Sequence, residues 1–101
     1  MPTDEPRLDL ADDVDGALVL TGEIDSYTAP DLAERLAGEP PVEVVDVAGV
    51  TFIDSSGLRF IVEAHQNRLA AGARLVLRSP SAAVQRLLEI SGLSGHLDVA
   101  G

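Results

Sequence analysis

Val50-Thr51-Phe52-Ile53-Asp54-Ser55-Ser56-Gly57-Leu58 decides how this chain is read. Its first four residues are apolar or β-branched, as a short strand requires. Downstream, Leu58, Ile61, Val62, His65 and Leu69 recur at the spacing of one helix face. Asp-Ser-Ser-Gly therefore lies where a strand becomes a helix. The first turn of a helix has unpaired N–H groups and the positive end of the dipole, and both favour an anion. The two hydroxyls displayed there, on Ser55 and Ser56, offer a potential phosphate acceptor, so a protein switched by phosphorylation is the first expectation. Ser56 is read as bonded to backbone in the first turn, and Gly57 as permitting close approach. Asp54 is open between capping the helix and lying beside the acceptor, where it would orient the hydroxyl or hold a cation. Arg59, four residues beyond Ser55, is either in reach of a phosphate on the same face or simply solvated. Phe60 falls off the apolar stripe, as a partner anchor or a half-buried helix edge.

Working outward, residues 1–6 carry two prolines and read as a flexible tail before a domain over residues 7–101. Arg7-Leu8-Asp9-Leu10 alternates like a short edge strand. Asp12, Asp13, Asp15 and Gly16 form a turn into a second strand, Ala17–Thr21, which Gly22 ends. Thr28 caps a helix with Pro30 in its first turn and Asp31 at the capping-box position, and Gly38 stops it. Pro40-Pro41 leads into Val42–Val47, a strand buried on most of both faces, and Ala48-Gly49 turns the chain. After the central helix, Gly72 is its C-terminal cap and Ala73–Leu77 a strand. Ser79-Pro80 opens a third helix with Ala83, Val84, Leu87 and Leu88 inward and Gly92 after its end. Gly95–Val99 forms a last strand. The pattern predicts an α/β fold: one small domain whose mixed sheet of four to five strands has helices packed mainly on one face.

Composition narrows the chemistry. Seventeen acidic residues face seven basic ones, all arginine, for a formal charge of −10. Such a surface repels nucleic acid and anionic membranes and attracts partners with a basic face. With no cysteine, disulfides, thiolate metal sites and thiol catalysis are excluded. No apolar run approaches the roughly 20 residues needed to cross a bilayer, and the acidic start is no signal peptide, so a cytoplasmic protein is expected. A hydrolase would pair Ser55 with His65 or His96. The Gly-x-Ser-x-Gly elbow is missing, though, and His65 lies on the apolar stripe, so no enzyme activity is expected. Two distant histidines fit no metal-ligand spacing, and Asp12, Asp13 and Asp15 lack the rest of a calcium loop. No Gly-rich phosphate cradle is present, so neither metal nor cofactor is expected.

Three segments together resemble the STAS-domain anti-sigma-factor antagonist family. They are Leu20-Thr21-Gly22-Glu23-Ile24-Asp25, Asp46 through Leu58, and Ser79 through Leu87 ending at Ile90-Ser91-Gly92-Leu93. The resemblance runs from about Leu8 onward. It implies a partner-switching cycle, in which the unphosphorylated antagonist binds an anti-sigma factor that is also a serine/threonine kinase and releases the sigma factor. The kinase then phosphorylates the first serine after the aspartate, here Ser55, and a phosphatase restores the active form. The resemblance also places Glu23, Asp25, Ser26 and Tyr27 near the serine loop. The expected partner surface is thus Glu23, Asp25, Ser26, Asp54, Ser55, Ser56, Gly57 and Arg59; a plain acidic loop is the other reading of residues 23–27. The family's C-terminal helix has no counterpart before Gly101. Monomer and weak dimer both remain open. The alternative function is a non-catalytic STAS subunit of a lipid-transport ATPase complex, or of a stress-sensing scaffold.

Overall fold

The computed structural model describes residues 7–13, 15–38, 41–93, 95 and 97–100. The expected tail at residues 1–6, Pro40, His96 and Gly101 lie outside them. In chain order the elements are β1 (Leu8–Asp12), β2 (Leu18–Ile24), α1 (Ala29–Ala37), β3 (Val44–Ile53), α2 (Ser55–Ala70), β4 (Val76–Arg78), α3 (Ala82–Ser91) and β5 (Asp98–Ala100). The five strands lie side by side in sequence order, β1 antiparallel to β2 and all later pairs parallel. Right-handed crossovers that keep stepping in one direction put every connecting helix on the same face. One core results. Leu18, Leu20 and Ile24 of β2 meet Leu32 of α1, Leu58 and Ile61 of α2, and Val84 and Leu88 of α3. Among the described residues nothing covers the opposite sheet face, where Thr21 and Phe52 are exposed.

β3 corrects the expected pair of short strands. It is one ten-residue strand, and the chain at Ala48-Gly49 runs through a bulge, between the paired residues Asp46 and Gly49, rather than a turn. Register with β2 shifts twice, each time with an extra residue on β3, between the partners Val19/Thr21 and again between Gly22/Glu23. Asp46 Oδ1 accepts the Ala48 N–H at 2.9 Å and satisfies a group the bulge displaces. The two bulges change the inward spacing from two residues to three, so Val45, Val47, Val50 and Ile53 are all buried. Val44 and Asp46, on either side of Val45, stay partly exposed, so the strand is covered on one face, not both. Phe52 consequently faces out, 48% exposed beside Glu23.

Gly22 does not end β2, which continues to Ile24. It has φ +118°, and a Cβ there would lie 2.2 Å from the Arg7 carbonyl oxygen, so this glycine lets β1 begin against the bent strand. Ala71 is the cap residue of α2. Gly72 follows at φ +78°, with its N–H on Leu69 O at 3.0 Å and that of Ala73 on Arg68 O at 2.8 Å. These two bonds are the left-handed helix ending that the glycine foretold. β4 is shorter than expected, and α3 is capped by Ser81, whose Oγ accepts from Val84 N at 3.3 Å. Ser79 instead takes a left-handed φ of 55° and donates its N–H to Ala100 O at 2.8 Å, tying β5 to the sheet.

Candidate functional site

β2 and β3 end together, Ile24 opposite Ile53, and both deliver loops to the carboxyl edge of the sheet. Loops held at that edge by a rigid sheet are suited to presenting side chains to a partner. Asp54 leaves β3 still extended (φ −109°, ψ 179°) and donates its N–H to Ile24 O at 3.2 Å. Its carboxylate Oδ1 turns back to accept the Gly57 N–H at 2.8 Å, so Asp54 takes the capping geometry. Ser55 and Ser56, the first two residues of α2, are exposed. Neither hydroxyl makes a hydrogen bond among the described residues, so the expected backbone bond of Ser56 is absent there. No acidic residue occupies the first turn.

Gly57 is buried, and its reason is steric. A Cβ at this position would stand 2.6 Å from Ile24 O and 2.7 Å from Ile24 Cγ2. The first turn of α2 thus presses directly on the end of β2, and this contact fixes the serines relative to the loop that follows β2.

Asp25 organises that second loop from below. It is only 8% exposed, and Oδ1 accepts the N–H groups of Tyr27 and Thr28, each at 2.9 Å. The Thr28 N–H, then the Tyr27 N–H and the Arg7 guanidinium, hold its carboxyl below the usual carboxylate range, while burial opposes them. Thr28, expected as the α1 cap, makes no side-chain cap bond. Its hydroxyl donates to Glu23 O at 2.8 Å and accepts the Asp25 N–H at 3.0 Å, closing the loop internally. Above this base Ser26 and Tyr27 are exposed, Tyr27 by 78%.

Arg7 was not legible as part of the site. Its guanidinium pairs with Glu23 at 3.2 Å and with Asp25, and lies 5.5 Å from the Tyr27 ring centroid. In sequence it is only a polar position in an edge strand, and its partners are 16 and 18 residues away. Of the expected partner surface, the structure brings Ser26, Asp54, Ser55, Ser56 and Arg59 to one edge. Gly57 and Asp25 lie beneath it, and Glu23 is partly covered by Arg7.

His65 and the aspartate turn lie apart from this edge, and His96 is outside the described residues. His65 is buried ten residues along α2 from Ser55, about 15 Å by helical rise. Its Nδ1 is 3.1 Å from Leu75 O and its Nε2 4.0 Å from Asp98 Oδ2, which is a structural setting. The aspartate turn holds a guanidinium: Arg78 reaches Asp15 at 3.0 Å, Asp46 at 3.0 Å and Asp13 at 3.4 Å. The Ala17 N–H and Arg78 hold Asp15 below the carboxylate range. Among the described residues no group of three or more His, Cys, Asp or Glu side chains is arranged to hold a metal, and no helix is long and apolar enough to cross a membrane. Phe60 is half-buried beside Ala33, Leu36 and Ala64, in a groove of about 470 Å³ between α1 and α2.

A sequentially ordered mixed sheet with three helices on one face and a capped serine turn after β3 defines a STAS domain. The family model described as "Mlab, STAS domain" matches residues 8–99. The chain belongs to the STAS-domain anti-sigma-factor antagonist family. It is 36% identical over 86 residues to the anti-sigma-B factor antagonist of Listeria monocytogenes, covering 81% of this chain and 75% of that protein. With the anti-sigma-B factor antagonist of Bacillus subtilis it shares 32% over 84 residues, 80% and 77% of the two chains. The fold matches an anti-sigma factor antagonist from Mycobacterium paratuberculosis with TM-score 0.71 at 24% identity, over 92% of this chain and 83% of that one. It also matches the anti-sigma factor antagonist SpoIIAA in its unphosphorylated form, with TM-score 0.67 at 21% identity over 93% and 88%.

Proposed function

We propose that this protein is a cytoplasmic anti-sigma-factor antagonist that binds an anti-sigma-factor serine/threonine kinase and is switched off by phosphorylation at Ser55. In its unphosphorylated form it occupies the kinase and releases the sigma factor; a phosphatase acting on phospho-Ser55 restores it. The observation that carries this reading is the exposed Ser55 hydroxyl at the first residue of α2, on a turn locked by Asp54 and Gly57. A kinase needs an acceptor that is reachable and held in place, and this one is both. The curated relatives named above support the antagonist role.

The switch is local. A phosphate adds about −1.5 to −2 charges at neutral pH. The helix N-terminus accommodates them within the chain, whereas a partner docked over Ser26, Ser55 and Ser56 meets them directly. An acidic group of the docked partner about 4 Å from the phosphate is repelled by roughly 4 kcal/mol at an intermediate dielectric even where the rest of its face is basic, and half of that weakens binding more than tenfold. No allosteric path is required.

Incubation with candidate anti-sigma kinases and ATP tests the assignment: one added phosphate by mass, absent in Ser55→Ala, is expected. Absence of a mass shift with co-purification of a transport ATPase would favour the alternative subunit role instead.

A further inference from the structure

Arg59 is anomalous in this chain. With seventeen acidic residues to seven arginines, a free guanidinium is the exception. Arg7, Arg35, Arg74 and Arg78 each pair with a carboxylate, and Arg68 donates to the carbonyls of Leu36 and Val42. Arg59 and Arg86 alone make no ion pair or hydrogen bond among the described residues. Arg86 lies on α3. Arg59 lies on α2, one turn after Ser55, and both of these side chains are exposed. Residues four apart on a helix face each other with Cβ atoms about 5–6 Å apart, within reach of a guanidinium and a phosphate. Glu63, one turn further, leaves Arg59 unpaired even though an acid at that position is suitably spaced. The neighbouring carboxylate, Asp54, is committed to the Gly57 N–H and is not its partner.

We propose that Arg59 is the built-in counter-ion of phospho-Ser55: it receives the phosphate on the antagonist's own helix and holds it in the dianionic form. The inference rests on the reading of Ser55 as the acceptor. It assigns Arg59 to the modified state of the antagonist itself, separately from any contact with the kinase. A planar fork of N–H donors suits two phosphate oxygens at once, which a lysine cannot match. The new charge is then partly neutralised where it arises, which keeps α2 intact and settles the phosphate in one position over the serine turn.

The test uses the full chain with phosphoserine installed at position 55 during translation, so that no kinase is needed. The second ionisation of the phosphate, near pH 6 for free phosphoserine, is followed by phosphorus NMR at low salt. Arg59→Gln, which preserves helix propensity, is expected to raise the midpoint by about 0.3 to 0.5 of a pH unit. Arg59→Lys should recover part of that shift, and Arg86→Gln, which changes net charge equally, should leave the midpoint in place. Identical midpoints in the parent and Arg59→Gln would overturn the proposal, as would an equal shift in Arg86→Gln. Failure of any kinase to modify Ser55 would appear in the mass assay instead and leaves this titration unaffected.

Discussion

Gly57 sits so close to Ile24 that a methyl group in place of its hydrogen would come within 2.6 Å of the Ile24 carbonyl oxygen. That contact joins the serine turn to the loop after β2. Gly57→Ala must push α2 off the end of the sheet, and overpacking of this kind costs about 1–3 kcal/mol. A lowered urea midpoint, with chemical-shift changes at both Ser55 and Tyr27, is the expected result. A variant as stable as the parent would show that the two loops are not braced through this point.

Asp54 closes the first turn of α2 with its carboxylate on the Gly57 N–H. Asp54→Ala should lose about 1 kcal/mol, within the range of about 0.5–2 known for helix caps, and Asp54→Asn should keep most of it. Equilibrium unfolding in urea separates the two; equal losses would mean that the carboxylate's charge, not its capping bond, is what matters.

Asp25 gives the protein an acid-sensitive joint. Its folded carboxyl titrates below the ordinary value of 3.8, chiefly through the Thr28 N–H. A depressed carboxyl contributes stability that is present above the unfolded value and lost as pH falls from there through the folded one. Urea midpoints should therefore drop below about pH 4. Asp25→Asn should be less stable than the parent at pH 7 and show a shallower decline below about pH 4. Parallel profiles for the two proteins would remove Asp25 from this role.

Tyr27 is 78% exposed, held over Arg7 and offered to solvent. Exposed side chains away from caps and cores usually change stability by less than about 0.5 kcal/mol, whereas aromatic anchors dominate interfaces. Tyr27→Ala should unfold like the parent yet bind the anti-sigma kinase at least tenfold more weakly in calorimetry. Unchanged affinity would move the interface away from this loop.

The strand and helix order was legible because periodicity and punctuation agree: Leu18, Leu20 and Ile24 alternate, Leu58 and Ile61 follow a helix, and Gly72 and Gly92 stop helices with φ of +78° and +73°. β3 was misread because a bulge and a turn share the same Ala-Gly signal. Only the register with β2 distinguishes them, and register is a property of two strands. The serine turn was readable for the opposite reason, since capping is local: Asp54 and Gly57 are three residues apart. Thr28 shows where local reasoning stops. Asp25, three residues earlier, takes the N–H groups of Tyr27 and Thr28, the Asp31 N–H goes to the Thr28 carbonyl, and the threonine hydroxyl is turned back to Glu23 O. Arg7 required the fold itself, because its partners belong to the neighbouring strand and the loop beyond it.

The most direct test compares the affinity of the cognate anti-sigma kinase for the unmodified protein and for the protein carrying phosphoserine at position 55, with circular dichroism recorded on both. Repulsion at the contact face predicts binding weakened more than tenfold with the spectrum unchanged. Equal affinities, or a loss of affinity accompanied by loss of helix, would contradict a switch that acts on the partner rather than on the antagonist's own fold.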